Sequence, residues 1–177
     1  QNTDTDNPTA GARTVRYVIT DGAGGTSANY DATVNVTGVN DAPVMSNLTG
    51  DTLAYSEGAG ALVIEQGGNA TVTDVDNANL NTGTLTVSFA AGSDIAEDVL
   101  AIRNEGASAG QIGISGLNVQ YGGVTIGTYT GGSSGANLVI TFNTNATPPA
   151  VQALVKNITY QNTDTDNPTA GARTVRY

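Results

Sequence analysis

From Thr14 to Tyr17 bulky and polar residues alternate, and the chain then runs apolar through Val18 and Ile19 to Thr20. Such alternation predicts a β-strand, because successive side chains of an extended chain point to opposite faces. Residues 21–27, Asp-Gly-Ala-Gly-Gly-Thr-Ser, are turn formers. Residues 31–39 alternate strictly, with Ala32, Val34 and Val36 on one face. The two stretches are expected to form a hairpin-like pair. Asn40-Asp41-Ala42-Pro43 then breaks the pattern. Pro43 has no amide to donate and holds Ala42 extended, so residues 40–43 read as a joint between domains.

Beyond the joint the apolar positions come in short runs. Leu53 and Tyr55 alternate with polar neighbours, and Leu62-Val63-Ile64 and Ala70-Thr71-Val72-Thr73 follow. Further strands are predicted at Leu85–Phe89, Ile112–Ile114, Val119–Tyr121, Val124–Tyr129, Leu138–Phe142 and Ile158–Tyr160. One short helix is predicted near 148–157. Thr147 can cap it, Pro148 and Pro149 suit its first turn, and Ala150, Val151, Leu154 and Val155 fall at helical spacing. Asp94, Glu97 and Asp98, with Glu105 further on, surround the apolar run 99–102 and read as a solvated acidic loop. Many short strands separated by turn signals indicate an all-β protein built as a β-sandwich.

The chain also repeats itself. QNTDTDNPTAGARTVRY occupies residues 1–17 and recurs unchanged at 161–177, a period of 160. That period is the size of a domain rather than of a solenoid unit. Residues 1–39 are therefore expected to be the C-terminal strands of one repeat, 40–43 a linker, and 44–177 most of the next repeat. Periodicity would place the sequence of residues 18–43 again after Tyr177. That segment could come from the next repeat of one covalent array or from another copy, by strand donation.

Composition narrows the partners. There are 6 Lys and Arg against 16 Asp and Glu, for a net charge of −10, and no His or Cys. Nucleic acid and anionic membranes need basic patches, so neither is expected as a partner. Without Cys or His the usual zinc sites and thiol chemistry are excluded. No apolar run is long enough to span a membrane. No histidine is present to act as the base for a nucleophile, so an enzyme is not expected. The Thr-, Asn- and Gly-rich, Lys-poor profile matches that of secreted bacterial arrays. Asn-x-Ser/Thr sequons at Asn35, Asn47, Asn69, Asn145 and Asn157 would allow glycosylation of an extracellular chain.

The acidic balance favours bound cations. Asp21 lies in the turn before the joint, Asn40 and Asp41 within it, and Glu57, Asp74 and Asp76 soon after it. Calcium takes six to eight oxygen ligands, more than any one short run here supplies, so a shared site would draw on several clusters. An extended Asp74-x-Asp76 would point both carboxylates to one side. Alternatively these acids are turn residues that bond their own backbone.

The ordered series Tyr55-Ser56-Glu57-Gly58, then TDVDNANL at 73–80, residues 150–160 followed by QNTDTDNPTAGARTVRY, then VITDGAGGTS and VNDAP, resembles the cadherin-like repeats of very large bacterial surface proteins and adhesins. The resemblance covers nearly the whole period. It implies a cadherin/immunoglobulin-like β-sandwich repeat, strung end to end at the cell surface, with Ca2+ stiffening the joints. The ligands it implies are Asp21, Asn40, Asp41, Glu57, Asp74 and Asp76. Ala42 and Pro43 stand where further ligand-bearing positions would lie, and the period is longer, with an inserted region around 90–135. An extender module is the function expected. Alternatives are a filament subunit that polymerises by strand donation, or an adhesion module that binds a glycan or cell surface through Tyr121, Tyr129 and the glycine-rich stretch 131–135.

Overall fold

The structure, a computed structural model, describes residues 1–177. The chain divides into two compact units, Gln1–Ala42 and Pro43–Tyr177.

In the first unit, β1 (Gly11–Tyr17) and β2 (Tyr30–Val36) pair antiparallel, in register from Gly11 opposite Val36 to Tyr17 opposite Tyr30. The hairpin is the one the alternation predicts, although Val18 and Ile19 lie beyond β1. Arg16 and Asp31 face each other and form a bidentate pair, Nε to Oδ1 and Nη2 to Oδ2, both 2.8 Å. Two strands alone cannot bury a face. Tyr17 is accordingly 59% exposed, Tyr30 71% and Val34 50%, and the hydrophobic core contains no residue of this unit.

The second unit holds β3 (Val44–Ser46), β4 (Leu62–Val63), β5 (Thr71–Thr73), β6 (Thr84–Ala91), β7 (Asp98–Ile102), β8 (Ile112–Ser115), β9 (Asn118–Tyr121) and β10 (Val124–Thr130). It continues with β11 (Leu138–Phe142), the helix α1 (Pro148–Val155), β12 (Ile158–Asn162) and β13 (Thr174–Arg176). A six-stranded sheet runs β13-β6-β11-β10-β9-β8, a three-stranded sheet β4-β12-β7, and β3 pairs with β5. Every pairing is antiparallel. The fold is thus mostly antiparallel β with one helix.

Alternation builds the core. Leu85 and Val87 of β6, and Leu138, Ile140 and Phe142 of β11, are buried, while Thr84 and Thr86 between them are exposed. Ile112, Val119 and Ile126 extend the apolar face along the large sheet, and Leu100 and Ile158 of the small sheet join the same cluster. α1 closes it with Ala150, Val151, Leu154 and Val155. The helix starts as expected: the Thr147 side chain accepts from the Ala150 amide, and prolines fill the first two positions, where no amide partner exists. Asn157 turns the chain from α1 into β12. Its side chain donates to the Ala153 carbonyl and Glu105 and accepts from Arg103 Nε, so its buried amide group is bonded at both ends.

Four expectations are corrected. Leu53–Tyr55 is irregular chain, because no strand lies alongside it to pair with. Asp74-Val75-Asp76 is not extended: β5 ends at Thr73 and the chain bends there, so the two carboxylates are not held on one side by a strand. The acidic stretch at 94–98 is not a solvated loop throughout, since Asp98 opens β7 and is 2% exposed. Tyr121 and Tyr129 are half-buried and pack against the core rather than forming an open platform.

Candidate functional site

The seventeen repeated residues occur in two structural settings and form the same side-chain turns in both, although the strand they lead into spans Gly11–Tyr17 in one copy and Thr174–Arg176 in the other. In the first copy the amides of Asp6 and Asn7 donate to Asp4 Oδ1, and Asp4 donates to Asn2 Oδ1. In the second, the amides of Asp166 and Asn167 donate to Asp164 Oδ1, and Asp164 donates to Asn162 Oδ1. These are Asx turns, which the side chain imposes on its own neighbours. The arginine fork is also duplicated. Arg13 donates to the Gly11 and Thr9 carbonyls, and Arg173 to those of Gly171 and Thr169.

The second copy is additionally seated on a buried polar cluster. Asp98 Oδ2 receives Arg173 Nε at 2.9 Å, with the two side chains 0% and 9% exposed. Its Oδ1 receives the Tyr160 hydroxyl at 2.6 Å and Asn162 Nδ2 at 3.2 Å, and the Asp94 amide donates to Oδ2 at 2.7 Å. Glu97 binds the same segment through Asn162 Nδ2 and the Thr169 amide. Asp94 and Glu97 both accept from the Thr169 hydroxyl. At Gly92, φ 75°, an added Cβ would collide with the Ala172 carbonyl, so the segment also fits closely against the end of β6.

Burial alone would raise the Asp98 carboxyl, but the Tyr160 hydroxyl, the Arg173 guanidinium and the Asp94 amide outweigh it and hold the group below its ordinary range. Tyr160 is pushed up to about 12, first by burial and then by Asp98. The Arg173 guanidinium is raised by its hydrogen bond to Asp98.

Beside this cluster lies a groove of about 1030 Å³. Leu48, Tyr55, Ile64, Tyr160, Val175 and Tyr177 give it an apolar floor and walls. Tyr55 and Tyr160 meet edge to face at 4.8 Å, and the Tyr55 hydroxyl bonds the backbone of Asn162 at both its amide and its carbonyl. Arg173, Val175 and Tyr177 are half-buried, while Thr174 and Arg176 between them are exposed, so this stretch presents one face inward. Two atoms of groove-lining residues, Tyr177 Oη and Asp51 Oδ2, are inaccessible and lack a hydrogen-bond partner. Burial raises the Tyr177 hydroxyl, and the charges of Asp51 and Glu65 raise it further. β13 pairs with β6 on one side and ends the sheet on the other.

The acids predicted as calcium ligands are placed as follows. Asp21 is exposed, and its Oδ1 accepts from the amides of Ala23 and Gly25, which lower its carboxyl. Asn40 donates through its side chain to the Asp41 carbonyl, and both residues are exposed. Glu57 is exposed on the rim of the groove. Asp74 Oδ1 accepts from the amides of Asp76 and Asn77, and Asp76 Oδ1 accepts from Asn77 Nδ2. Burial would raise Asp74, but the Asn77 amide and its other donors lower it overall. Its Oδ2 is inaccessible and without a hydrogen bond.

That orphaned oxygen suits a cation; Asp21, Asn40 and Asp41 belong to one unit and Glu57, Asp74 and Asp76 to the other, and no group of three or more Asp or Glu that could hold a metal ion is found. What the sequence hid was the seat of the repeat. The available signal was Arg173, which shares the inward parity of Val175 and Tyr177; a charge on the buried face of an alternating strand calls for a buried partner. No protein-family model, curated protein or solved structure matches this chain.

Proposed function

We propose that the chain is a structural extender module of a secreted, extracellular bacterial surface filament or adhesin, made of cadherin-like β-sandwich repeats set end to end. The observation that carries the reading is the duplicated segment. One copy caps a cored unit through Asp98 and Arg173, and the other leads a hairpin with no core of its own. A hairpin that cannot bury its apolar face is not a free-standing domain, and it gains a core only as part of a larger repeat. Adjacent copies of the repeat are its natural partners.

Calcium stiffening belongs to the same reading. Asp21, Asn40, Asp41, Glu57, Asp74 and Asp76 would supply the oxygens, with Asp74 Oδ2 the one that now lacks a donor. Ions held by two neighbouring repeats would remove freedom at residues 40–43 and stabilise the folded state by mass action. A chain of several repeats is expected to melt lower and become more compact or more flexible in excess chelator. An unchanged melting temperature together with unchanged dimensions would rule calcium out.

The unpaired side of β13 favours a second reading, in which separate copies polymerise by strand donation. Intact mass of denatured native material separates the two. A species near 17.8 kDa marks a polymer of single chains, and a giant chain marks a covalent array.

A further inference from the structure

The two settings of the repeated segment give its strand two different neighbours. Residues 174–176 pair with β6, Val175 opposite Phe89 and Arg176 opposite Ser88. Their equivalents 14–16 pair with β2, Val15 opposite Ala32 and Arg16 opposite Asp31. A β-strand has two hydrogen-bonding edges, and a central strand uses both. β6 occupies one edge of β13 and the other is open, so the identical sequence can take a β2-like strand on that open edge. The second neighbour is what the groove beside β13 lacks.

We propose that β2 of a second copy of this chain adds antiparallel to the outer edge of β13 and fills the groove, in the register β2 already adopts on β1. Tyr30 then lies opposite Tyr177, Asp31 opposite Arg176, Ala32 opposite Val175 and Val34 opposite Arg173.

Directly opposed residues share a face of the sheet. This register therefore places Tyr30, Ala32 and Val34 on the inward side, with the half-buried Arg173, Val175 and Tyr177. It places Asp31 outside with Arg176, re-forming the bidentate pair that Arg16 makes in the hairpin. A slip of one residue would turn Asp31 inward and Tyr30 outward.

The exchange trades one partner for another of identical sequence. In the donor, β2 leaves β1; in the acceptor it meets the same sequence, because residues 11–17 and 171–177 are identical. The driving force is the burial of Tyr30 and Val34, which are exposed in the hairpin, against Tyr55, Ile64 and Val175. Leu53 and Tyr55 line the same groove, so a strand that fills it would give that alternating stretch a neighbour. Each copy carries one donor and one acceptor, so the contact is heterologous and open-ended.

The proposal rests on the repeat-module reading. Sedimentation velocity of the full chain over a wide concentration range is expected to show oligomers that grow with concentration. The chain extended after Tyr177 by its own residues 18–39 fills its own groove and is expected to lose that growth. The double variant Tyr30→Asp, Val34→Asp changes only the exposed hairpin and is expected to lose it as well. Asp31→Arg and Arg176→Asp should each weaken association, and an equal mixture of the two should restore it. A native chain that stays monomeric at every concentration, or growth that survives the extension, overturns the proposal. Running the series in excess chelator separates the two ideas. Association that persists in excess chelator supports strand addition whatever the fate of the calcium sites; association absent with and without metal defeats strand addition and leaves the calcium reading to the multi-repeat melting experiment.

Discussion

A carboxylate with no exposed side-chain surface needs its oxygens matched by donors, and Asp98 has four: the Tyr160 hydroxyl, Asn162 Nδ2, Arg173 Nε and the Asp94 amide. Asp98→Asn keeps the shape but leaves the Arg173 charge buried without its counter-ion. Breaking such a pair from one side costs about 3–5 kcal/mol, which urea denaturation of the full chain will read as a lower midpoint at unchanged slope. The pH dependence has a definite sign at each end. Asp98 is held below its ordinary 3.8 in the folded state. Its stabilisation is therefore complete above that value and is lost as pH falls through the folded-state value. Tyr160 moves the other way, from 10.0 to about 12, so its contribution is complete below 10.0 and is lost as pH rises through about 12. Denaturation midpoints across pH should fall on both flanks, and Asp98→Asn should flatten the acid flank. None of this was legible in the acidic run 94–98, because the partner that buries Asp98 lies 75 residues further along the chain.

At the scale of the element, α1 and the hairpin were the most readable, because their signals are local. Thr147, two prolines and four apolar residues at helical spacing specify where α1 begins and which face it buries. Thr147→Ala should cost about 1 kcal/mol, as a lost helix cap. Leu154→Ala should cost about 2–5 kcal/mol, because Leu154 is fully buried and leaves a cavity. Thermal melts of the two variants should rank in that order; equal effects would mean that the helix is held by its cap rather than its buried face. The strand expected at Leu53–Tyr55 failed for a non-local reason, since alternation reports a face to be buried but not whether a neighbouring strand is present to pair. The bend at Asp74–Asn77 was misread for the opposite reason: the Asp74 side chain binds the amides of Asp76 and Asn77 and outcompetes extension.

For the whole molecule, stability is divided unevenly. All the core belongs to Pro43–Tyr177, while the hairpin of Gln1–Ala42 is held by its own ladder and an exposed ion pair. Local opening free energy follows buried contacts. In native-state hydrogen exchange of the isolated chain, amides of β1 and β2 should exchange quickly, and those of β6, β11 and β12 should exchange slowest. Protection of the hairpin equal to that of β11 would mean that it is already packed against a core. Under conditions where copies associate, protection should appear in β2 and β13 together.

The sequence by itself determined whatever depends on near neighbours. The Asx turns at Asp4 and Asp164, the arginine forks at Arg13 and Arg173, the helix start at Thr147 and the alternating faces of β1 and β2 all arise within a few residues, and the repeated segment adopts the same turns in both of its copies. Tertiary structure alone decided which partner each copy meets. The same arginine that reaches Asp98 as Arg173 is exposed as Arg13, and the same strand lies on β6 in one copy and on β2 in the other. The physical reason is range. Turns and caps are closed by atoms a few bonds apart, whereas a buried ion pair and a sheet edge require distant segments to be brought together and water to be removed between them.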